Sequence, residues 1–142
     1  MNEFDKKKVL IVEDDGISSF MMQVLAEKFC EPVIVNNGYA AIETLEKSKY
    51  DAVLMDINLG DEQMDGIRTM RLIRQNSKFR RLKIFALTAY SDAREWHIKQ
   101  GFDDLILKPL TEEKIKQVLT CTDQNYIKGD SLLKKDIHPG NF

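Results

Sequence analysis

The sequence predicts an α/β fold, a parallel sheet of five strands with helices on both faces. Three observations carry this. Short apolar runs alternate five times with segments whose apolar residues recur at helical spacing. Several of the runs are continuous rather than alternating, as in strands buried on both faces. Turn-forming or capping residues mark most changes from one kind of segment to the other. Parallel strands joined by helices satisfy such a pattern, and their crossovers are right-handed.

Residues 8–12 (K-V-L-I-V) form the first run, with Glu13, Asp14 and Asp15 directly behind it. A helix is expected over 18–29, where Phe20, Met21, Val24, Leu25 and Phe29 recur at helical spacing and Ser18 or Ser19 is available as N-cap. Residues 32–35 give a second short strand, and Asn36-Asn37-Gly38 turns the chain. Ala40, Ala41, Ile42 and Leu45 predict a second helix that ends near Ser48. The third strand, 52–55 (A-V-L-M), runs straight into Asp56.

A polar loop over 59–65 precedes a helix carrying Ile67, Met70, Leu72 and Ile73, with Arg68, Arg71 and Arg74 expected on its solvated face. Residues 83–87 (K-I-F-A-L) are the fourth strand, stopping at Thr88. Ser91 or Asp92 is the expected cap of a fourth helix closed by Gly101. A fifth strand over 104–107 meets Lys108-Pro109, and Thr111 is the expected N-cap of a last helix reaching Cys121, with Glu112 and Glu113 in its first turn. Gly129, Pro139 and Gly140 then break up a polar stretch, so the chain reads as one domain over 1–122 and a tail or linker over 123–142.

The totals bound the function. A chain of 142 residues with 43% hydrophobic content supports a single core. A net charge of −2 gives no reason to expect nucleic acid as a partner. No apolar run approaches a membrane span, and residues 1–8 are too polar for a signal peptide, so a cytoplasmic protein without membrane contact is expected. Cys30 and Cys121 lack metal-type spacing and are expected as reduced thiols in or near the core.

In a parallel sheet every strand ends on the same edge, and ligands bind outside that carboxyl edge. Glu13 and Asp14 follow the first strand, Asp56 the third, Thr88 the fourth and Lys108 the fifth. Each has a bland explanation alone, as a cap, a turn or a solvated charge. Together they put three carboxylates, a hydroxyl and an ammonium on one rim. Carboxylates gathered in this way repel one another unless a hard cation, with Mg²⁺ the best match, sits among them. The residue types suit phosphoryl transfer, with Asp56 as nucleophile and Lys108, Thr88 and the cation balancing charge on the phosphoryl oxygens.

The motifs V-L-I-V-E-D-D, V-L-M-D-I-N, M-D-G-I, A-L-T-A and L-K-P resemble, in order and spacing, the receiver domain of two-component response regulators over roughly residues 7–121. That resemblance implies the flavodoxin-like strand order 2-1-3-4-5. It implies Asp56 as phosphoacceptor, Asp14 as a direct Mg²⁺ ligand, Glu13 acting mainly through water, and Asn58 lending its backbone carbonyl. Thr88 and Lys108 would hold phosphoryl oxygens, and the Lys108–Pro109 bond would be cis. The implied donor is a phosphohistidine on a histidine kinase or a phosphotransfer protein. The implied output is a protein partner on the face of the fourth and fifth helices, with no turnover of a small substrate.

Two departures from the family pattern stand out. Leu105 occupies a position that is often aromatic in relatives, where a ring swings inward in step with the threonine. The loop from Asp56 to Met64-Asp65-Gly66 is about two residues longer than usual and has Leu59-Gly60-Asp61-Glu62-Gln63 in place of the customary proline. Asn58 and Tyr90 stand at the positions that influence phosphoryl lifetime in relatives. Trp96 is expected on an interaction or packing surface, His97 as a partly buried packing residue, and His138 carries no role. A receiver that docks partners without phosphorylation is the alternative, and the complete set of acids, Thr and Lys argues against it. An aspartyl-nucleophile phosphatase would want an acid where Asn58 stands.

Overall fold

Five strands and five helices alternate among the residues that the computed structural model describes, 6–90 and 93–123. They are β1 (Lys8–Val12), α1 (Gly16–Ala26), β2 (Glu31–Val35), α2 (Gly38–Lys47), β3 (Ala52–Asp56), α3 (Gly66–Gln75), β4 (Lys83–Thr88), α4 (Arg94–Gln100), β5 (Asp104–Leu107) and α5 (Glu112–Cys121), with a 3-10 turn at Ser77–Phe79 after α3. The sheet is parallel throughout, in the order β2-β1-β3-β4-β5. The tail expected over 123–142 lies, beyond Asp123, outside the described residues, as do His138 and the suggested caps Ser91 and Asp92.

The period of two along each strand divides the core into two halves. Val9, Ile11, Ala52, Leu54, Phe85, Leu87 and Ile106 point to one face and pack on Met22 and Ala26 of α1 and on Ile115, Val118 and Cys121 of α5. Leu10, Val12, Val53, Met55, Ile84, Ala86 and Leu105 point to the other, against Ala41 and Leu45 of α2 and Met70 and Ile73 of α3. Each fully buried Leu, Ile or Val is worth about 1.5–3 kcal/mol, so β3, with all five residues buried, is the centre of the fold. Cys30 and Cys121 are both free and buried. Burial pushes the Cys30 thiol up to about 11, which leaves it inert as a nucleophile.

Caps explain where most helices begin. The Asn37 side chain accepts from Ala40 N, that of Asp65 from Arg68 N and that of Thr111 from Lys114 N. Gly101, at φ 131°, ends α4 as its spacing suggested, while Ala93 precedes that helix without a side-chain cap bond. His97 is buried with its Nδ1 2.7 Å from the Ala93 carbonyl oxygen, and Trp96 stands half exposed, edge-on to it.

Two expectations require correction. The N-cap of α1 is Asp15, not Ser18 or Ser19, because its carboxylate accepts the Ser18 amide at 2.8 Å and the helix begins at Gly16. Arg74 does not lie on a solvated face. Its guanidinium donates to the carbonyls of Gly101 (3.1 Å), Phe79 (3.2 Å) and Leu82 (2.6 Å) and pairs with Asp103 at 2.9 Å. It fastens α3 to the amino ends of β4 and β5, a long-range role that helical spacing alone does not reveal.

Candidate functional site

Sheet register assembles the rim. Val12 lies opposite Met55, so the next two residues, Glu13 and Asp14, emerge beside Asp56. Asp56 is paired with Leu87 and Thr88 with Leu107, and Lys108 N donates to the Thr88 carbonyl at 2.8 Å. Gly66 completes the support. A β-carbon there would collide with the Asp56 carbonyl oxygen, and the Gly66 amide donates to Ile57 O at 3.2 Å. The Lys108–Pro109 bond is cis.

One carboxylate oxygen from each of Glu13, Asp14 and Asp56 lies within 4.8 Å of the others. The Lys108 ammonium bridges two of these groups, with Nζ 3.1 Å from Glu13 Oε1 and 2.9 Å from Asp56 Oδ2. The other Asp56 oxygen, Oδ1, accepts the Asn58 amide at 3.0 Å. Glu13 Oε2 accepts the Asp15 amide at 3.1 Å. Glu13 and Asp56 are almost wholly enclosed, at 1% and 3% exposure, and Thr88 is nearly so at 9%. Asp14 is exposed.

Charge in this space is expensive, and the ionisations record it. Burial raises the Glu13 carboxyl to about 7, aided by its hydrogen bond and its proximity to Asp56, while the Asp15 amide and Lys108 oppose the rise. Burial pulls the Lys108 ammonium down, yet its bonds to Asp56 and Glu13 outweigh that and hold it above its ordinary value. The Asp15 carboxyl is lowered by its bonds to Ser18, as its capping role requires. An enclosed pair of acids that one ammonium does not fully neutralise, with a third acid at the solvent side, is an oxygen-rich donor set that fits a hard divalent cation.

The rim therefore brings Glu13, Asp14, Asp56 and Lys108 together as their positions after the strands suggested. Thr88 is at the rim, and its Oγ1 accepts the Tyr90 amide at 3.2 Å. Asn58 contributes an amide to Asp56, and its side-chain oxygen takes the Gly60 amide at 3.4 Å. Leu105 is 1% exposed and sealed in the core beside β4.

The apolar spacing of α1 located the helix but not its core side. Met22 and Ala26 face the sheet, whereas Ile17, Phe20, Met21 and Val24 stand 74%, 67%, 65% and 46% exposed. The signal was present in the sequence. A helix with one apolar row at Met22 and Ala26 and a second at Ile17, Phe20, Met21 and Val24 has more apolar surface than one sheet contact buries. This outer row borders a groove of about 630 Å³ that runs from Phe20, Met21 and Val24 to Lys108, Pro109 and Leu110. The apolar face thus adjoins the acidic rim.

Comparison with known proteins gives a consistent result. The family model of the response regulator receiver domain matches residues 9–120. The sensor histidine kinase GacS of Pseudomonas protegens is 35% identical over 118 residues, covering 79% of this chain and 13% of that protein. The transcription factor SKN7 of Saccharomyces cerevisiae is 32% identical over 114 residues, covering 78% of this chain and 18% of its own length. The chain thus spans a small part of these curated relatives. Among solved structures, the receiver domain of a Pseudomonas aeruginosa sensor histidine kinase, described with a magnesium ion coordinated in its active-site cleft, superposes with a TM-score of 0.72 at 29% identity, over 81% of this chain and 95% of that one.

Proposed function

Because the chain belongs to the response regulator receiver domain family, we propose that it works as a phosphorylation-dependent switch in two-component signalling, taking a phosphoryl group from a phosphohistidine onto Asp56. What supports this reading most is the Lys108 ammonium, held 2.9 Å from Asp56 Oδ2 and 3.1 Å from Glu13 Oε1 within a cluster of three carboxylates. A carboxylate buried to this degree is costly, and a purely structural site would have no need of three.

In the proposed reaction an Asp56 oxygen attacks phosphorus in line as the phosphorus–nitrogen bond to the donor imidazole breaks, and the imidazole leaves with that electron pair. Asp56 Oδ1 is tied to the Asn58 amide, which fixes the plane of the carboxylate. The Lys108 ammonium exchanges its contact with Asp56 for one with a phosphoryl oxygen, and the Thr88 hydroxyl turns from the Tyr90 amide to donate to another. Asp14 and Asp56 would hold Mg²⁺ directly, with Glu13 acting through water and the Asn58 carbonyl as a further ligand. Bound there, the ion supplies charge neutralisation at the phosphoryl oxygens. The chain thereby catalyses its own phosphorylation and turns over no small substrate.

The donor must bring its imidazole to the rim, so the protein that carries it covers the adjoining surface. The exposed row Ile17, Phe20, Met21 and Val24 is the apolar seat we assign to that histidine kinase or phosphotransfer partner. The phosphorylated form would then be read by a protein partner on α4 and α5, in a cytoplasmic setting.

The test is phosphorylation by acetyl phosphate with Mg²⁺. Mass spectrometry should find one added phosphoryl group in the wild type and none in Asp56→Asn or in excess EDTA. Equal labelling of Asp56→Asn would assign the nucleophile elsewhere, and no labelling of the wild type would favour a docking module that works unphosphorylated.

A further inference from the structure

The extended loop after β3 crosses the solvent side of the rim, and one residue in it comes close to the exposed acid. Gly60 adopts φ +76°, in the left-handed region, and a β-carbon built on it would stand 2.8 Å from Asp14 Oδ2. The loop has little room to withdraw. Leu59 on one side and Met64 on the other are buried at 5% and 2% exposure. Between them the Met64 amide donates to Asp61 O at 3.1 Å and the Gln63 amide to Asp61 Oδ1 at 2.9 Å. Asp65 and Gly66 then lock the exit, through the Arg68 amide at 2.8 Å and Ile57 O at 3.2 Å.

Asp14 is the opposite case. Of the three clustered acids it is the exposed one, and its carboxylate accepts no hydrogen bond from the described residues. Glu13 and Asp56, by contrast, are each held by an amide and by Lys108. No donor among the described residues therefore holds the Asp14 carboxylate in place, and its position is open to the space its neighbours leave it.

We infer that Gly60 is a positioning residue for the cation site: its missing side chain leaves the Asp14 carboxylate the space it needs to face Glu13 and Asp56. This rests on the reading of Asp14 as a ligand. A β-carbon at position 60 meets the Asp14 carboxylate and nothing else within 4 Å, so the exposed carboxylate turns away and the three-acid set loses its outer member. The extra length of the loop and its glycine are then one device. The longer path brings backbone over Asp14, and only a residue without a β-carbon tolerates that approach.

The experiment compares Gly60→Ala and Gly60→Asn with the wild type by direct binding of Mn²⁺, followed by electron paramagnetic resonance of the free ion, with Mg²⁺ as competitor. Asn tolerates a left-handed backbone better than Ala, yet it carries the same β-carbon. Both variants are expected to weaken cation binding by about tenfold or more, the usual cost of disturbing a group that orients a ligand. Melting of the cation-free proteins supplies a second readout: the drop caused by Gly60→Ala should be measurably smaller in an Asp14→Ala background, where the contact is gone and only backbone strain remains. Wild-type affinity in both variants would overturn the inference, as would a loss in Ala that Asn restores, since backbone strain would then be the whole effect. Absence of binding to the wild type would instead refute Asp14 as a ligand.

Discussion

Raising the pH without metal should loosen this protein through a single enclosed acid. Glu13 ionises in the folded chain at about 7 against an ordinary 4.5, chiefly because it is buried and shares a hydrogen bond with Asp56. Between those values the folded state keeps a proton that the unfolded chain has already released. The stabilisation is fully present below 4.5 and is lost as the pH climbs through 7. The loss is on the order of a few kcal/mol at most, since Asp56 and Lys108 share the same charge balance. Asp15 works in the opposite sense, being lowered by Ser18, but it titrates below this window. Urea unfolding in EDTA between about pH 5 and about pH 8 measures the fall, and Glu13→Gln, neutral throughout, should flatten it. Mg²⁺ should return the stability at the upper end and, near neutrality, displace up to about one proton, visible as buffer-dependent binding heat. A Glu13→Gln profile as steep as the wild type would refute the reasoning.

Two further outcomes are expected. Phe20→Glu, on the outer row of α1, should slow phosphoryl transfer from a phosphohistidine-bearing kinase domain by about tenfold or more while leaving acetyl phosphate labelling unchanged, because a small donor needs no apolar seat. Equal rates from the protein donor would remove α1 from the docking surface. Arg74→Ala should cost about 2–3 kcal/mol in urea unfolding, since it strips a donor from the carbonyls of Phe79, Arg80, Leu82 and Gly101 and a partner from Asp103. A midpoint equal to that of the wild type would show that water replaces the guanidinium at no cost.

Much of this was legible in the sequence because its signals are local. Continuous apolar runs located the strands, and Asn37, Asp65, Gly101 and Thr111 stand at the element boundaries. The site was legible because a parallel sheet turns residues distant in sequence into neighbours, so Glu13, Asp56 and Lys108 could be gathered from their places at the strands' carboxyl ends. The hidden part depends on packing direction and reach. Spacing identified α1 but could not decide which of its two apolar rows meets the sheet. Asp15 read as one more acid because Ser18 and Ser19 offered the more familiar cap. Arg74 read as a surface charge because its partners, Phe79, Leu82, Gly101 and Asp103, come together once β4 and β5 are in place. The closeness of Gly60 to Asp14 is likewise a matter of ångströms that no motif encodes.

Leu105 has a consequence for how a signal leaves this domain. A ring that toggles between an outer and an inner station needs two places to stand, and an aliphatic side chain at 1% exposure already fills the one it has. On the reading proposed above, phosphorylation would act without that toggle, beginning at Thr88. Its first link would be the Tyr90 amide, which the Thr88 hydroxyl accepts at 3.2 Å and would release on turning toward a phosphoryl oxygen. Amide exchange at Tyr90 should accelerate on phosphorylation, which would couple the site to an exposed phenol on the surface.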